Sequence, residues 1–397
     1  MRILVITNLY PPQELGGYGR CISDFVWGLL CQGHHVTVLT SNSSYLSPAT
    51  DSIRNNESVF RSLLLKGSFE NGISLETNLS EISRIDTHNI DFISNICKFG
   101  WDGCLLGNLD MIGLGIVDIL SAHRIPSLHH IGFVDPPFPL RELPSSPFYS
   151  IASASYCVKD SLVRHGFPVN QSLVIYPGVR DDLFVYSRSG LSPSIRHCYS
   201  LHSSGSPVGS PANPLKMGFA GLIMASKGLH TLVQAAINLR LLGIYLNVSI
   251  AGTIFQSDYK TYLDSLISSH SLQDNFITYG QLTRDQLIRF WSLQHVGVFP
   301  SIHPEAFGIS AAEIMCSGLL LCSTGVGGSS EIFSHGKTGL SFQPDNSQSL
   351  VDLIIGIIND KYSLFKLPIT AYSHISSDFS VLSSSSLIEK HFLATMN

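Results

Sequence analysis

The chain opens on an apolar run, Ile3-Leu4-Val5-Ile6, closed by Thr7. Such a run suits a strand buried on both faces of a parallel sheet. A loop holding Pro11-Pro12 and Gly16-Gly17 follows. From Tyr18 the spacing changes: Ile22, Phe25, Val26, Leu29 and Leu30 share one face, which predicts a helix ending at Gly33-His34. Residues 35–40 read as a second strand, so the chain begins with a βαβ unit and a parallel, doubly wound sheet. Residues 41–60 are rich in Ser and Asn and read as a surface loop. A strand over 104–106 and a helix over 113–122 are expected. Pro136, Pro137, Pro139, Pro144 and Pro147 leave no room for regular structure in 133–147. Helical spacing returns at 157–164, and 173–176 reads as a strand. The stretch 203–214 holds little but small and polar residues, and 187–214 reads as a linker. Beyond it the alternation resumes, with strands expected at 216–220, 246–251, 276–279, 296–300 and 319–323. Helices are expected at 229–242, 259–269, 284–293, 309–316 and 329–335.

The fold class that follows is α/β, with two Rossmann-like domains: 1–186, and 215–375 after the linker, with a tail at 376–397. A length of 397 residues suits two domains. In open parallel sheets ligands sit beyond the carboxyl ends of the strands, so a crevice between the two domains is the expected binding place.

Charge narrows the partners. Charged residues make up 13% of the chain, about half the usual ~25%, and serine fills much of the difference. Residues 1–185 carry 12 basic against 17 acidic side chains, and the rest balance at 12 each, which accounts for the net -5. No basic run interleaved with aromatics occurs, which argues against nucleic acid as the main partner. The acidic first half gives no support to docking on an anionic membrane. The eight cysteines are scattered without a C-x-x-C pair and read as reduced thiols of a cytoplasmic protein. No apolar stretch reaches membrane-span length, and the first run is too short for a signal-peptide core. There is no D-x-D metal motif, so neither metal nor cofactor is expected.

The chemistry concentrates between Pro300 and Glu331. After the strand at 296–300, Glu305 falls in the loop, Phe307-Gly308 opens a helix, and Glu313 lies early within it. A helix start offers N–H groups and a positive dipole end, which suit a diphosphate. Glycine at 308 removes the side chain that would block its approach. Taken alone, two glutamates at this spacing are as readily a solvated loop residue and a salt-bridged helix residue.

They stand within a longer pattern, Pro300-Ser301-Ile302-His303-Pro304-Glu305-Ala306-Phe307-Gly308 through Glu313, then Gly327-Gly328-Ser329-Ser330-Glu331 and His335-Gly336-Lys337-Thr338-Gly339-Leu340. This resembles glycosyltransferase family 4, a retaining family of the two-domain GT-B type. Gly16-Gly17, the following helix, and Tyr176-Pro177-Gly178-Val179 with Leu183-Phe184 resemble its N-terminal half. The resemblance implies a hexosyl transfer from a nucleotide-diphosphate sugar, bound mainly by the C-terminal domain, to an acceptor on the N-terminal one. It places the donor on Lys227, Phe307, Gly308, Ile309, Ser310 and Glu313, with Glu313 holding the ribose hydroxyls and Glu305 near the reacting sugar carbon. It adds Gly16 and Gly17 against the donor phosphate, Gly280 beside the base, and Gly327, Gly328 and Glu331 as loop-orienting residues. It also suggests a catalytic histidine, His130, although a histidine packed beneath a proline-rich loop is the plainer explanation. GT-B tails often pack back across the N-terminal domain, and 376–397 is expected to do so.

One position departs from the pattern. The family places an arginine and a lysine on the diphosphate, and here Gly221-Leu222 is followed by Lys227-Gly228. Leucine offers phosphate no hydrogen bond. This motivates a second reading, a non-catalytic protein that binds sugar nucleotides. A third is a sugar-nucleotide epimerase of the same architecture. The acceptor, a glycan, a lipid-linked sugar or a small molecule, is not legible.

Overall fold

The structure, a computed structural model, describes residues 1–70, 72–184, 206–359 and 366–395. It divides into unit 1, Met1–Gly178 with Val381–Asn397, and unit 2, Val179–Ser380.

Unit 1 is built on an eight-stranded sheet. Its strands are β1 (Arg2–Ile6), β2 (His35–Ser41), β3 (Ser52–Arg54), β4 (Glu57–Leu63), β7 (Gly103–Leu106), β8 (Ser127–Ile131), β9 (Tyr149–Ser153) and β10 (Leu173–Val174). A separate small hairpin pairs β5 (Gly67–Ser68) with β6 (Ser74–Leu75). The sheet order is β10-β9-β8-β7-β1-β2-β4-β3, parallel except for the edge pair β3–β4. Helices α1 (Tyr18–Cys31), α2 (Leu79–Cys97), α3 (Gly115–Ala122) and α4 (Tyr156–Arg164) complete the crossovers.

The expected loop over 41–60 is corrected here, since β3 and the start of β4 lie within it. The strand β4 escapes a hydrophobicity reading because its polar side chains are engaged by neighbours. The Arg61 guanidinium donates to the carbonyls of Tyr10 and Pro11, and Glu57 accepts from the Tyr10 hydroxyl at 2.7 Å. Helix α2 hides in the same way. Its buried stripe is Ile85, Asn89, Ile93 and Cys97, and Asn89 is satisfied by the backbone of Leu64 at 2.9 Å on both its oxygen and its nitrogen.

Unit 2 has a six-stranded parallel sheet: β11 (Leu215–Ala220), β12 (Leu246–Ala251), β13 (Phe276–Thr278), β14 (Val296–Phe299), β15 (Leu320–Ser323) and β16 (Leu340–Ser341). Its order is β13-β12-β11-β14-β15-β16. Its helices are α5 (Asp181–Phe184), α6 (Leu229–Leu241), α7 (Ser257–Ser269), α8 (Arg284–Ser292), α9 (Ile309–Cys316), α10 (Ser347–Ile358) and α11 (Lys366–Asp378). The chain runs outward from β11 through β12 to β13, then returns to lay β14 on the other side of β11. That reversal is a topological switch point, the place in an open parallel sheet beyond whose strand ends ligands bind.

Two further expectations meet the structure here. In place of a helix over 329–335 there is one 3-10 turn, Gly328–Glu331. The Ser329 and Ser330 hydroxyls donate back to the carbonyls of Val326 and Gly327, a local pairing that competes with helix propagation. Of the stretch read as a linker, 187–205 lies outside the described residues. Residues 206–214 belong to unit 2, and Val208 is buried in its core.

The last helix, α12 (Val381–Thr395), belongs to unit 1. It fits where side chains are missing. A Cβ at Gly28 would fall 2.1 Å from the Ser385 hydroxyl, and one at Gly103 would fall 2.5 Å from the Phe392 ring.

Candidate active site

Two loops meet at the switch point of unit 2. The loop after β11 ends in a 3-10 turn, Ala225–Lys227, and Gly228 then caps α6. Only glycine fits there, because a Cβ would sit 1.9 Å from the carbonyl oxygen of Pro300 in the loop after β14. The Ile302 amide donates to the Ser226 carbonyl at 3.0 Å, which fastens the loops together.

This contact brings Lys227 onto Glu305. The lysine Nζ donates to Oε1 at 2.7 Å and to Oε2 at 2.9 Å. The Ser301 hydroxyl donates to Oε1 as well. Ser301 is buried, and its carbonyl accepts from the Thr324 hydroxyl at 2.6 Å. The lysine and glutamate side chains are 27% and 15% exposed, so the pair sits at the rim of the protein, reachable but not fully hydrated.

Gly327-Gly328 fixes the backbone of Glu305. The Glu305 amide donates to Val326 at 3.2 Å, and the Gly328 amide donates to the Glu305 carbonyl at 2.7 Å. Gly327 has φ 69° and ψ -145°, a conformation essentially confined to glycine. A Cβ there would lie 2.5 and 2.6 Å from the Glu305 nitrogen and oxygen.

Three residues beyond Glu305, Gly308 caps α9 in a left-handed conformation (φ 96°) without any side-chain cap bond. Ile309 and Ser310 are half-buried at this helix start. Phe307 is buried, its ring centroid 6.0 Å from that of Phe379. Glu313, one turn in, is only 3% exposed. A helix start capped by a glycine, with no cap side chain on its N–H groups, at the end of the loop whose Glu305 holds Lys227, suits an anion. Gly280, just past β13, is half-buried and accepts from the Gly252 amide at 2.7 Å. Glu331 is half-buried at the end of the 3-10 turn. Leu222 is half-buried directly after β11, so the expected arginine position holds hydrocarbon.

The structure thus joins Lys227, Glu305 and Gly328 by direct hydrogen bonds, with Gly327 packed against the Glu305 backbone and Phe307 to Glu313 continuing from the same loop. Gly16, Gly17 and His130 lie in unit 1. The two glycines are exposed before α1, where Gly17 is the cap residue without a side-chain bond. His130, on β8, is 1% exposed, with Nε2 2.8 Å from the Ile175 carbonyl. That contact puts the proton on Nε2. Burial pushes its pKa down to about 4, so the ring is neutral in the neutral pH range. His129 bonds the Tyr149 hydroxyl at 2.8 Å through Nδ1, and burial followed by the neighbouring His130 pushes it down to about 3.

Ser301 is the site residue that sequence reasoning passed over. It stood in the quoted pattern, four positions before Glu305, but only as part of the spelling. Gln256 was missed as well; its side chain accepts from the Ala225 amide at 2.8 Å and steadies the lysine loop. Among the described residues no group of three or more His, Cys, Asp and Glu could hold a metal ion. Among them, too, no helix is long and apolar enough to cross a membrane.

Residues 206–371, most of unit 2, match the family Glycosyl transferases group 1. Over 96% of its length the chain is 22% identical to glycogen synthase of Mycobacterium tuberculosis, covering 91% of that protein. Over 40% of its length it is 32% identical to the D-inositol 3-phosphate glycosyltransferase of an Arthrobacter species, covering 37% of that one. Among solved structures, sucrose-phosphate synthase of Thermosynechococcus elongatus superposes with a TM-score of 0.77 at 17% identity, over 100% of this chain and 99% of that one. Anabaena Alr3699/HepE, solved in complex with UDP and glucose, gives 0.73 at 17% identity, over 99% and 100%. The fold is therefore GT-B, and the chain is a glycosyltransferase.

Proposed function

We propose that the protein is a retaining glycosyltransferase that takes its sugar from a nucleotide-diphosphate sugar held by unit 2, without a metal ion. The observation that carries this reading is the Lys227–Glu305 pair beside the start of α9, at the sheet's switch point. In the transition state negative charge grows on the leaving diphosphate. Lys227 and the N–H groups of α9 would stabilise it, as fixed donors do for a developing anion. Glu305, held by Ser301 and Gly328, would accept from hydroxyls of the donor sugar, and Glu313 from the ribose. His130 would act by position, since a neutral ring with Nε2 engaged has no proton to give. The Anabaena neighbour, with UDP and glucose bound, supports a uridine or related donor. The acceptor is a glycan, a lipid-linked sugar or a small molecule.

Leu222 favours a second reading, a protein that binds sugar nucleotides and does not turn them over. The family match of unit 2 speaks against an epimerase. The test is nucleoside diphosphate release from UDP-, GDP- and ADP-sugars by wild type and Glu305→Ala, with and without candidate acceptors. Release from one donor, lost in Glu305→Ala, is the expected result. Donor binding without release from any of them would favour the non-catalytic reading.

A further inference from the structure

Lys227 already has an anion. Both Glu305 oxygens lie within 2.9 Å of its Nζ, so two of the three protons an ammonium can donate serve one carboxylate. The donor reading asks the same ammonium to serve a diphosphate, and Leu222 supplies no second cation at the arginine position. Carboxylate and diphosphate therefore compete for one charge. Resting on that reading, we infer that Glu305 makes the site discriminate between the intact donor and the spent nucleoside diphosphate.

The argument turns on what happens to Glu305 when a diphosphate draws Lys227 away. The carboxylate is 15% exposed and keeps, among the described residues, only the Ser301 hydroxyl from its present set of donors. A poorly hydrated carboxylate that loses its cation needs replacement donors. It cannot follow the lysine, because its backbone is clamped between Val326 and Gly328. Hydroxyls of a donor sugar are suitable replacements. A nucleoside diphosphate without its sugar brings none, so Glu305 reclaims Lys227 and the product leaves.

The test is calorimetric titration of wild type, Glu305→Gln, Lys227→Met and the double variant with UDP, GDP, ADP and their glucose esters. Thermal midpoints confirm that the near-isosteric variants fold. Wild type is expected to bind one glucose ester more tightly than its nucleoside diphosphate. Glu305→Gln, which frees Lys227, should bind that nucleoside diphosphate about fivefold or more tighter than wild type and the glucose ester more weakly. With methionine at 227, adding Glu305→Gln should leave nucleoside diphosphate affinity unchanged. If wild type binds a glucose ester but Glu305→Gln gains nothing for the diphosphate, the inference is overturned and the donor site stands. An equal gain without Lys227 also overturns it. If no glucose ester binds wild type, the donor-site reading itself falls.

Discussion

At the scale of single residues, the site depends on positions where a side chain is absent. Gly327→Ala would place a Cβ within 2.6 Å of both the amide nitrogen and the carbonyl oxygen of Glu305, in a backbone conformation alanine does not hold. The clamp on Glu305 would have to open. The variant is expected to lose about 1–3 kcal/mol of stability, read by urea unfolding, and to lose most of its donor turnover. Leu222 tests the opposite direction. Leu222→Arg would return a bidentate phosphate donor to a half-buried position. It is expected to raise kcat/KM on the order of tenfold or more, by analogy with a lost oxyanion donor. An unchanged value would mean that Lys227 and α9 suffice. These residues were legible through the resemblance to glycosyltransferase family 4, whose pattern marks the Gly327-Gly328 pair and the arginine position that Leu222 fills. Ser301 was not, because a serine in a serine-rich chain carries no signal until its hydroxyl is seen on Glu305.

At the scale of elements, what the sequence revealed depended on how each element is buried. Strands flanked on both faces, such as β1, β11 and β14, are largely apolar runs and were plain. The strand β4 and helix α2 were not, since Arg61 and Asn89 occupy interior positions that a hydrophobicity pattern scores as surface. Their partners, the carbonyls of Tyr10 and Pro11 and the backbone of Leu64, are distant in sequence. The helix α12 is the element whose removal should be felt most clearly in unit 1. Phe392 is fully buried, with its ring against Gly103 of β7. Phe392→Ala should cost about 3–5 kcal/mol, seen as a lower thermal midpoint. A change within experimental error would mean that α12 contributes little to the stability of unit 1.

At the scale of the whole molecule, the buried histidines give unit 1 a predictable response to pH. His130 and His129 are pushed down to about 4 and about 3 by burial, whereas in an unfolded chain each titrates near ~6.5. As pH falls below that value the unfolded chain takes up protons that the folded chain refuses, so stability falls through the window toward pH 4 and is unaffected above it. The thermal midpoint should drop as pH falls from about 6.5 toward about 4. His130→Gln, which keeps a donor for the Ile175 carbonyl, should drop less steeply than wild type. A slope unchanged by the substitution would contradict the assignment.

The central claim is that the Lys227–Glu305 loops of unit 2 form a seat for a nucleotide-diphosphate sugar. Its most direct test is equilibrium titration of the intact chain with UDP-, GDP- and ADP-glucose, in wild type and Lys227→Met. One of the three should bind wild type at a single site, and Lys227→Met should weaken it about tenfold or more, the loss of one charge-assisted phosphate contact. Equal affinity in both proteins, or no binding of any of the three, would contradict the account.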